Sequence, residues 1–485
     1  MQIEHITSTR PTGDGATGIV HLGLGAFHRA HQAVYLEQYL ALKGGDWSIC
    51  SANIRANQTL VDQLTAADCR YQVVEYRSRE QVCVREIRAI REALFAGSDA
   101  GRETLLQRLA APATRIVTLT VTEKGYYLEP SVARLRLDDP AIQHDLARPQ
   151  SPKTAPGLLL EALDRRRLAG IAPFTVLSCD NMPHNGRRTR AAVLALARHR
   201  SPELHDWIET GVCFPGSMVD RIVPAMAAED FSRLASELDC REPAAVICES
   251  FSQWVVEDNF SLGRPDWDIV GVQMVADVTP FETMKLRMLN GSHSLLAYLG
   301  PLAGYQTVAQ AMQDPAIRNF LHHYMLHEAV PTLEAIECTE LQAYATRLLQ
   351  RFANDSLQHQ LRQIAMDGSQ KLPQRWLDGC KILLDAEQPV ACTALGIAAW
   401  IRHVQQAQAE QRELNDPLAP RLLALAERHR DQPQQLLAAF LAQDDIFAPA
   451  LAANSRFQEA LTRAWNALQQ TPLPDLLTHM TAHSD

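Results

Sequence analysis

The sequence lacks the features that mark secreted, metal-binding or membrane-spanning proteins. Its ten cysteines include no Cys-x-x-Cys pair and no cluster with histidine at zinc-ligand spacing, so the pattern predicts neither a disulfide framework nor a metal site. No apolar run approaches the roughly 18 residues of a transmembrane helix, and no cationic start leads into an apolar signal region. We therefore expect a reduced, cytoplasmic protein with no membrane partner.

An excess of positive charge is also missing. The chain has 46 basic and 56 acidic residues, a net charge of −10, which argues against a nucleic-acid partner. Its 485 residues, of which 46% are apolar, exceed what one core usually organises and predict two globular domains. We find no internal repeat or low-complexity segment. The composition leaves the oligomeric state open between a monomer and a small homo-oligomer.

The first half of the chain alternates short β-branched runs with helical patterns. Such alternation predicts an α/β fold with a mostly parallel sheet covered on both faces, as in a Rossmann-type domain. The predicted strands are Ile19–Leu22, Trp47–Ala52, Tyr71–Tyr76, Ile116–Thr122 and Phe174–Cys179, and the predicted helices are Ala33–Lys43, Thr104–Leu109, Gly157–Ala169 and Arg187–Arg200.

The second half has a different composition, in which Ala, Leu, Gln and Arg dominate. Runs with helical periodicity follow one another there: Leu295–Leu299, Leu341–Ala353, Ala391–Gln408 and Pro433–Gln443. These runs predict a mainly α-helical domain. We place the Rossmann-type domain at 1–278 and the helical substrate or catalytic domain at 279–485.

A glycine-containing turn follows the first predicted strand. Gly23 permits a tight turn and Gly25 allows backbone to approach a pyrophosphate, the context that a dinucleotide requires. His28 stands where the third glycine of the usual fingerprint would be. The same turn also occurs in ordinary strand-to-helix connections and in S-adenosylmethionine sites. The predicted cofactor-binding run is Ile19, Val20, His21, Leu22, Gly23, Leu24, Gly25, Ala26, Phe27, His28, Arg29 and Ala30.

A second chemically informative segment runs from Lys285 to His293. On an α-helix, which turns about 100° per residue, Lys285, Asn290 and His293 fall within an arc of roughly 140°. A lysine in a poorly hydrated pocket loses affinity for its proton and can act as a base. The amide and the imidazole can hydrogen-bond to substrate oxygens. A solvated helix face is the alternative interpretation.

Polar residues also follow two predicted strands, where open α/β sheets bind their ligands. Glu123 comes after the strand that ends near Thr122, and Asn181 comes after the strand that ends at Cys179. From the residues alone, the alternative interpretation of Glu123 is a solvated loop carboxylate, and that of Asn181 is a turn residue.

Taken together, these segments resemble one known family. The chain is similar to the long-chain polyol-specific dehydrogenases, which include mannitol 2-dehydrogenase, arabinitol dehydrogenase and mannonate oxidoreductase. The resemblance runs from about Ile19 to beyond Leu372. It is carried, in order, by Gly23–His31, Thr120–Tyr126, Ser178–Asn181, Phe214–Ile222, Gln253–Phe260 and Lys285–His293.

The resemblance implies roles for individual residues. Lys285 matches the general base, and Asn290 and Asn181 match the two amides on the reacting oxygen. His293 matches a contact to a substrate hydroxyl, and Glu123 matches a carboxylate linked to proton exchange. Lys371 resembles the substrate-binding lysine of the helical domain. The implied chemistry needs no metal.

Further positions bear on the choice of substrate and of cofactor. Mannitol-type members carry an arginine eight residues before that lysine, whereas this chain has Gln363. A carboxylated substrate needs a cation, for which Lys371, Arg375 and Arg362 are candidates. Asn53, which directly follows the second predicted strand, can bind ribose without repelling a 2′-phosphate.

The segments Gln253–Asp258 and Ile364–Arg375 look most like the NAD-linked mannonate oxidoreductase branch. We therefore expect an NAD-dependent enzyme that interconverts D-mannonate and D-fructuronate. The alternatives are a mannitol or arabinitol dehydrogenase that acts on a polyol, a dinucleotide-binding sensor without turnover, and a methyltransferase.

Overall fold

The structure is a computed structural model. It describes residues 2–9, 16–129, 134–336 and 339–482. The chain forms two compact units, Met1–Thr279 and Pro280–Asp485, called unit 1 and unit 2 below. No helix in the described ranges has both the length and the apolar character needed to cross a bilayer.

Unit 1 contains the strands. Within its described residues they are β1 Gln2–Ile6, β2 Thr17–Leu22, β3 Ser48–Asn53, β4 Tyr71–Tyr76, β5 Gln81–Ile87, β6 Ile90–Phe95, β7 Ile116–Leu119, β8 Thr175–Ser178, β9 Ser217–Asp220, β10 Val246–Glu249, β11 Gln253–Glu257 and β12 Gln273–Val275.

The central sheet of unit 1 has five parallel strands in the order β6-β3-β2-β7-β8. Strands β2, β3, β7 and β8 are almost fully buried, as expected for a parallel sheet covered on both faces, whereas the edge strand β6 is partly exposed. Gly23 follows β2, Asn53 ends β3, and the segments containing Glu123 and Asn181 follow β7 and β8. This arrangement confirms the predicted Rossmann-type fold.

Two further sheets were not predicted. Strand β4 was predicted to the residue, but it lies outside the parallel sheet, in a mixed sheet of order β1-β5-β4-β10. A small sheet of order β12-β11-β9 is the third. Strands β1, β5, β6, β9, β10, β11 and β12 were not predicted. Periodicity indicates that a segment is a strand, whereas its sheet is decided by contacts distant in sequence.

The described helices of unit 1 include all four that the sequence predicts, each with slightly different ends. Several begin at a side-chain cap: Ser98, Thr154 and Ser201 accept hydrogen bonds from the first turns of their helices. The α-helices are α1 Ala26–Ala30, α2 Gln32–Lys43, α3 Gln58–Ala66, α4 Asp99–Ala110, α5 Pro140–Ala147, α6 Ala155–Leu168, α7 Asn185–Arg200, α8 Pro202–Gly211 and α9 Ala228–Glu237, and the 3₁₀ helices are Glu123–Tyr126 and Trp267–Val270.

The described part of unit 2 is helical, as predicted. Its core contains large buried rings, among them Trp376, Trp400 and Phe440. The α-helices are α10 Thr279–Met284, which begins at the last residue of unit 1, α11 Gly291–Leu302, α12 Val308–Gln313, α13 Pro315–Tyr324, α14 Leu341–Phe352, α15 Leu361–Ile364, α16 Gly368–Leu372, α17 Asp378–Asp385, α18 Ala391–Ala409, α19 Ala419–Arg428, α20 Pro433–Leu441, α21 Pro449–Ala452, α22 Ser455–Gln470 and α23 Leu473–Thr481.

Three π-helical segments interrupt this pattern: Lys285–Asn290, Met325–Ala329 and Pro373–Leu377. The first packs against the other two. A short 3₁₀ helix, Val330–Thr332, follows the second. Because π turns are rare and often occur at functional sites, their grouping marks this part of unit 2 for closer description.

Candidate active site

The turn after β2 is built for close approach by a ligand. Gly23 has φ +109°, and a Cβ there would lie 2.1 Å from the carbonyl oxygen of Thr120, so only glycine fits. Gly25 is extended (φ −91°, ψ 178°), and a Cβ on it would meet no protein atom nearer than 3.9 Å. The space in front of Gly25 therefore suits the pyrophosphate of a dinucleotide.

A cluster of buried polar side chains holds this turn in place. The His21 ring nitrogens lie 2.7 Å from Thr118 Oγ1 and 3.0 Å from the carbonyl oxygen of Gly23. Thr120 Oγ1 donates to the same carbonyl at 2.8 Å. Burial lowers the pKa of His21 to about 3, so the ring is neutral. His28 stacks on it, with ring centroids 3.4 Å apart and an interplanar angle of 6°.

His28 thus uses the position of the third glycine for an internal stack. Arg29 also points inward: its Nε donates to the carbonyl oxygen of Gly25 at 3.3 Å. The helix after the turn is broken at His31 into α1 and α2. In the predicted cofactor-binding run, the partly exposed residues are Gly23, Gly25, Ala26 and Phe27; the others form the buried frame that shapes the turn.

Asp180 connects the loops after β7 and β8. Its carboxylate accepts hydrogen bonds from Val121 N (3.0 Å), Thr122 N (2.9 Å) and Tyr126 OH (2.7 Å). Thr122 has φ +64°, a conformation that is strained for a β-branched residue. The two backbone bonds to Asp180 hold this strained turn in place.

Burial raises the pKa of Asp180 to about 6, even though the bonds from Tyr126, Val121 and Thr122 favour the ionised form. Asp180 had no predicted role. The signal was present, because an acidic residue that directly follows a buried strand is placed to bind the neighbouring loop.

Two predicted site residues lie beside this carboxylate. Glu123 begins the 3₁₀ helix that Thr122 precedes, and Asn181 follows Asp180 directly. Both side chains are exposed. The structure therefore brings Glu123 and Asn181 to the carboxyl-terminal edge of the parallel sheet, while their predicted roles remain predictions.

The Lys285 segment is helical but not α-helical throughout. Lys285–Asn290 is a π-helix that continues into α11, which carries His293. The arc of 140° assumed α-helical rotation, and a π turn holds more residues, so those angular positions are wrong. The three side chains are nonetheless buried, with exposures of 6% for Lys285, 4% for Asn290 and 8% for His293. The alternative of a solvated helix face is therefore excluded.

Side chains from neighbouring helices bind the carbonyl oxygens of this π segment and of the residue after it. Tyr324 OH donates to Arg287 O at 2.9 Å. Arg375 Nη1 donates to Asn290 O at 3.2 Å, and Trp376 Nε1 donates to Gly291 O at 3.2 Å. Buried carbonyl groups need such partners. Arg375 and Trp376 themselves belong to the π-helix Pro373–Leu377.

Several buried polar atoms of unit 2 have no hydrogen-bond partner among the described residues, and three of them belong to the Lys285 segment, its continuation in α11, or a neighbour of His293. These three are Asn290 Nδ2, His293 Nε2 and His359 Nδ1. The two imidazoles are neighbours, with ring centroids 5.6 Å apart. Because buried polar groups are nearly always hydrogen-bonded, these atoms indicate a place for ordered water or for a ligand with several hydroxyl groups.

Positive charges surround these two imidazoles. The pKa of His293 lies well below its usual range because of burial, and then because of charge on His359, Arg375, Arg351 and Lys285. Burial, followed by the charge of Lys371, lowers the pKa of His359 to about 4. Both rings are thus neutral at pH 7 and lie within a group of four permanent or potential cations.

The three predicted cations differ in their contacts and exposure. Lys371 Nζ donates to the carbonyl oxygen of Ile364 at 3.2 Å and lies near His359. Arg375 supports the π segment, and Arg362 is exposed. Arg351 and His359 were missed by the sequence analysis, since both lie over 50 residues from His293 and belong to no recognised motif.

One group in the described residues has distances suitable for a metal ion: His205, Asp206 and Glu209. Arg198 Nε donates to His205 Nε2 at 3.0 Å, and His205 Nδ1 lies 3.1 Å from Asp206 Oδ1. Both ring nitrogens are therefore engaged in hydrogen bonds. The group is explained as a surface network on α8.

Comparison with known proteins defines the class. A model of the mannitol dehydrogenase Rossmann domain matches residues 17–269, and a model of the mannitol dehydrogenase C-terminal domain matches residues 277–469. The chain belongs to the mannitol dehydrogenase family. This confirms the family predicted from the sequence.

Particular relatives span both substrate classes. The chain is 46% identical to D-mannonate oxidoreductase of Escherichia coli, over 95% of each protein. It is 45% identical to the uncharacterised E. coli oxidoreductase YeiQ, over 93% of this chain and 92% of that protein. Mannitol 2-dehydrogenase from Pseudomonas fluorescens, solved as a ternary complex with NAD and D-mannitol, has a TM-score of 0.89 and 37% identity, covering 99% of this chain and 97% of the other.

Proposed function

We propose that this chain is an NAD-dependent oxidoreductase that interconverts D-mannonate and D-fructuronate. The observation that carries the proposal is that Asn290 Nδ2, His293 Nε2 and His359 Nδ1 are buried without hydrogen-bond partners among the described residues, with four basic side chains near the two imidazoles. Hydroxyl groups of a sugar acid would supply the missing hydrogen bonds, and its carboxylate would bind the cations. The similarity to D-mannonate oxidoreductase of Escherichia coli supports the same substrate.

The residues of the glycine turn fit NAD. Gly25 has open space where a Cβ would stand, and Gly23 has the conformation that the turn needs. The P. fluorescens relative, solved with NAD, supports this cofactor. When bound, the nicotinamide supplies a hydride acceptor for oxidation and a hydride donor for reduction. The cofactor-binding run predicted above, together with Asn53, is proposed to hold it.

Lys285 is proposed as the general base of the oxidation. Its buried position removes water that would otherwise stabilise the ammonium form. It takes the proton of the substrate hydroxyl group as hydride leaves the carbon that bears this group. It returns the proton to the oxygen during reduction. Glu123 is proposed as the carboxylate that exchanges this proton with solvent.

Asn290 is proposed to stabilise the negative charge that develops on the substrate oxygen. Its Nδ2 is already buried and lacks a protein partner within the described residues, so little reorganisation is needed when charge appears. Such a preorganised donor typically contributes about 3 kcal/mol to the transition state. Asn181 is proposed as the second amide, and His293 Nε2 as the partner of a neighbouring hydroxyl group.

Lys371 is the proposed partner of the substrate carboxylate. Both Lys371 Nζ and Arg375 Nη1 already donate hydrogen bonds, and Arg375 is the weaker candidate because its bonds to Asn290 O and Ser294 Oγ hold the π segment and α11. A polyol such as mannitol has no carboxylate, so the cations would contribute less to its binding. Mannitol remains the second candidate because of the similarity to mannitol 2-dehydrogenase.

A substrate panel tests the proposal. We expect NADH oxidation with D-fructuronate to have a kcat/KM at least about tenfold above that with D-fructose, equivalent to about 1.4 kcal/mol. Lys371→Met should reduce the value for fructuronate about tenfold or more and change that for fructose much less. Lys381, an exposed lysine paired with Asp385, offers the control Lys381→Met. A preference for fructose would transfer the assignment to the polyol enzymes.

A further inference from the structure

A cavity of about 270 Å³ opens in unit 1 beside the glycine turn. Gly23 lines it, together with Arg55 from the loop after β3, Lys124 and Tyr127 from the segment after β7, and Lys153 before α6. It thus contains three basic side chains. No carboxylate side chain is among the described residues that line it.

No ion pair among the described residues neutralises these three cations. Within the described ranges, no Asp or Glu oxygen lies within 4.0 Å of the charged groups of Arg55, Lys124 or Lys153, and all three side chains are exposed. The Arg55 guanidinium lies 5.4 Å from the centre of the Tyr127 ring, and its Nη2 donates weakly to Lys153 O at 3.4 Å. The cavity therefore offers positive charge to a ligand.

Two carboxylates near Tyr127 have other partners. Asp145 accepts hydrogen bonds from Lys153 N, Thr154 N and Thr154 Oγ1 at 2.6–3.0 Å. Asp139 caps α5 through Ala141 N at 2.9 Å. Both carboxylates contribute to the raised pKa of Tyr127, after burial. They moderate the positive potential there but do not line the cavity.

The residue at the end of β3 also bears on which ligand this cavity accepts. In Rossmann folds specific for NAD, an acidic residue at this strand end binds the adenosine ribose and repels a 2′-phosphate, whereas a nearby arginine accommodates that phosphate. Here the strand ends at Asn53, which is buried and uncharged, and Arg55 follows two residues later. The position thus lacks the group that would reject the phosphate.

We propose that this cavity binds a phosphate monoester on the adenosine ribose, so that the chain uses NADP(H) as well as NAD(H). Arg55, Lys124 and Lys153 supply charge-assisted hydrogen bonds to the phosphate, and Tyr127 and Arg55 supply surfaces for the adenine ring. The inference rests on the proposed function only in requiring that the glycine turn holds a dinucleotide.

Calorimetric titration of the full chain with two mononucleotides tests the inference without turnover. We expect adenosine 2′,5′-bisphosphate to bind at least tenfold more tightly than adenosine 5′-monophosphate, with an advantage that shrinks as salt increases. Arg55→Gln should reduce this advantage to threefold or less. Arg70, an exposed arginine after α3, provides the control Arg70→Gln, which should leave the advantage unchanged.

A second variant examines the strand end directly. Asn53→Asp should weaken the bisphosphate at least tenfold while changing 5′-monophosphate binding by less than threefold. Equal or weaker binding of the bisphosphate to the unaltered chain would overturn the inference and leave the dinucleotide function standing, since the cations would then serve the pyrophosphate alone. Failure of both nucleotides to bind would overturn the inference and the proposed function together.

Discussion

Arg375 donates a hydrogen bond from Nη1 to the backbone carbonyl of Asn290 at 3.2 Å, and the same nitrogen lies 2.9 Å from Ser294 Oγ. The first bond satisfies a carbonyl at the end of a π segment. The second fixes the guanidinium against α11. Through these contacts the position of the Asn290 amide depends on a residue 85 positions further along the chain.

Arg375 is therefore expected to act as a positioning residue. Lysine in its place keeps the charge but loses the planar, multiple-donor geometry. We expect Arg375→Lys to lower kcat about 10- to 100-fold with a KM change of less than threefold, as measured by steady-state kinetics. Ser294→Ala removes only the hydroxyl contact and should lower kcat less than threefold. A change confined to KM would instead assign Arg375 to substrate binding.

Lys285 gives the most direct test of the proposed chemistry. We expect Lys285→Ala to reduce kcat at pH 7 by at least about 1,000-fold, because the buried base is lost. The dissociation constant for NADH, measured by fluorescence titration, should stay within about threefold of the original value. Added small amines should restore part of the activity. Turnover near the original rate would remove the lysine mechanism.

The two glycines of the turn should respond differently to alanine. At Gly23 the new Cβ would collide with the Thr120 carbonyl oxygen, and φ is +109°, so Gly23→Ala should lower thermal stability as well as NADH affinity. Gly25→Ala meets no protein atom within 3.9 Å, so the fold should keep its stability while NADH binds at least tenfold more weakly. Unchanged affinity in Gly25→Ala would show that no ligand approaches this backbone.

The buried carboxyl group of Asp180 should make the stability of the folded chain depend on pH. Its folded-state pKa is raised from the usual 3.8 to about 6, chiefly by burial, so the folded chain retains a proton that the unfolded chain releases. The contribution of this group to stability is therefore present below about pH 4 and is lost as pH rises towards 6.

Urea unfolding of the original chain and of Asp180→Asn measures this effect. The difference in unfolding free energy should shift against the original chain by roughly 2 kcal/mol between pH 4 and pH 6.5, while the contributions of other titratable groups cancel in the comparison. A shift in the opposite direction would mean that the three hydrogen bonds to the carboxylate outweigh its burial.

Local patterns predicted the elements of this fold better than their arrangement. Tyr71–Tyr76 was predicted as a strand to the residue, yet its pairing with Gln81–Ile87 and Val246–Glu249 depends on contacts that periodicity does not encode. The helix containing Lys285 was predicted, but its π geometry was not. That geometry depends on side chains such as Tyr324 and Arg375, which bind its carbonyl groups.

The candidate site residues likewise fall into two groups: those in local motifs, and those that packing brings together from distant parts of the chain. Residues within recognisable motifs, such as Lys285 and Asn290, were named as candidates because their spacing is local, and their roles stay predictions. Arg351, His359 and Asp180 were missed. Arg351 and His359 reach His293 only through the packing of separate helices, and the partners of Asp180 lie almost 60 residues earlier.

The π turn at Lys285–Asn290 makes segment length a determinant of function. Such a turn amounts to an extra residue absorbed by a continuous helix, and each residue of an α-helix accounts for about 100° of rotation. Losing one residue there would preserve a helix and its composition but swing the Lys285 amine around the axis, away from the His293 imidazole. Residue number, and not only residue type, sets the phase between the base and the groups that orient its substrate.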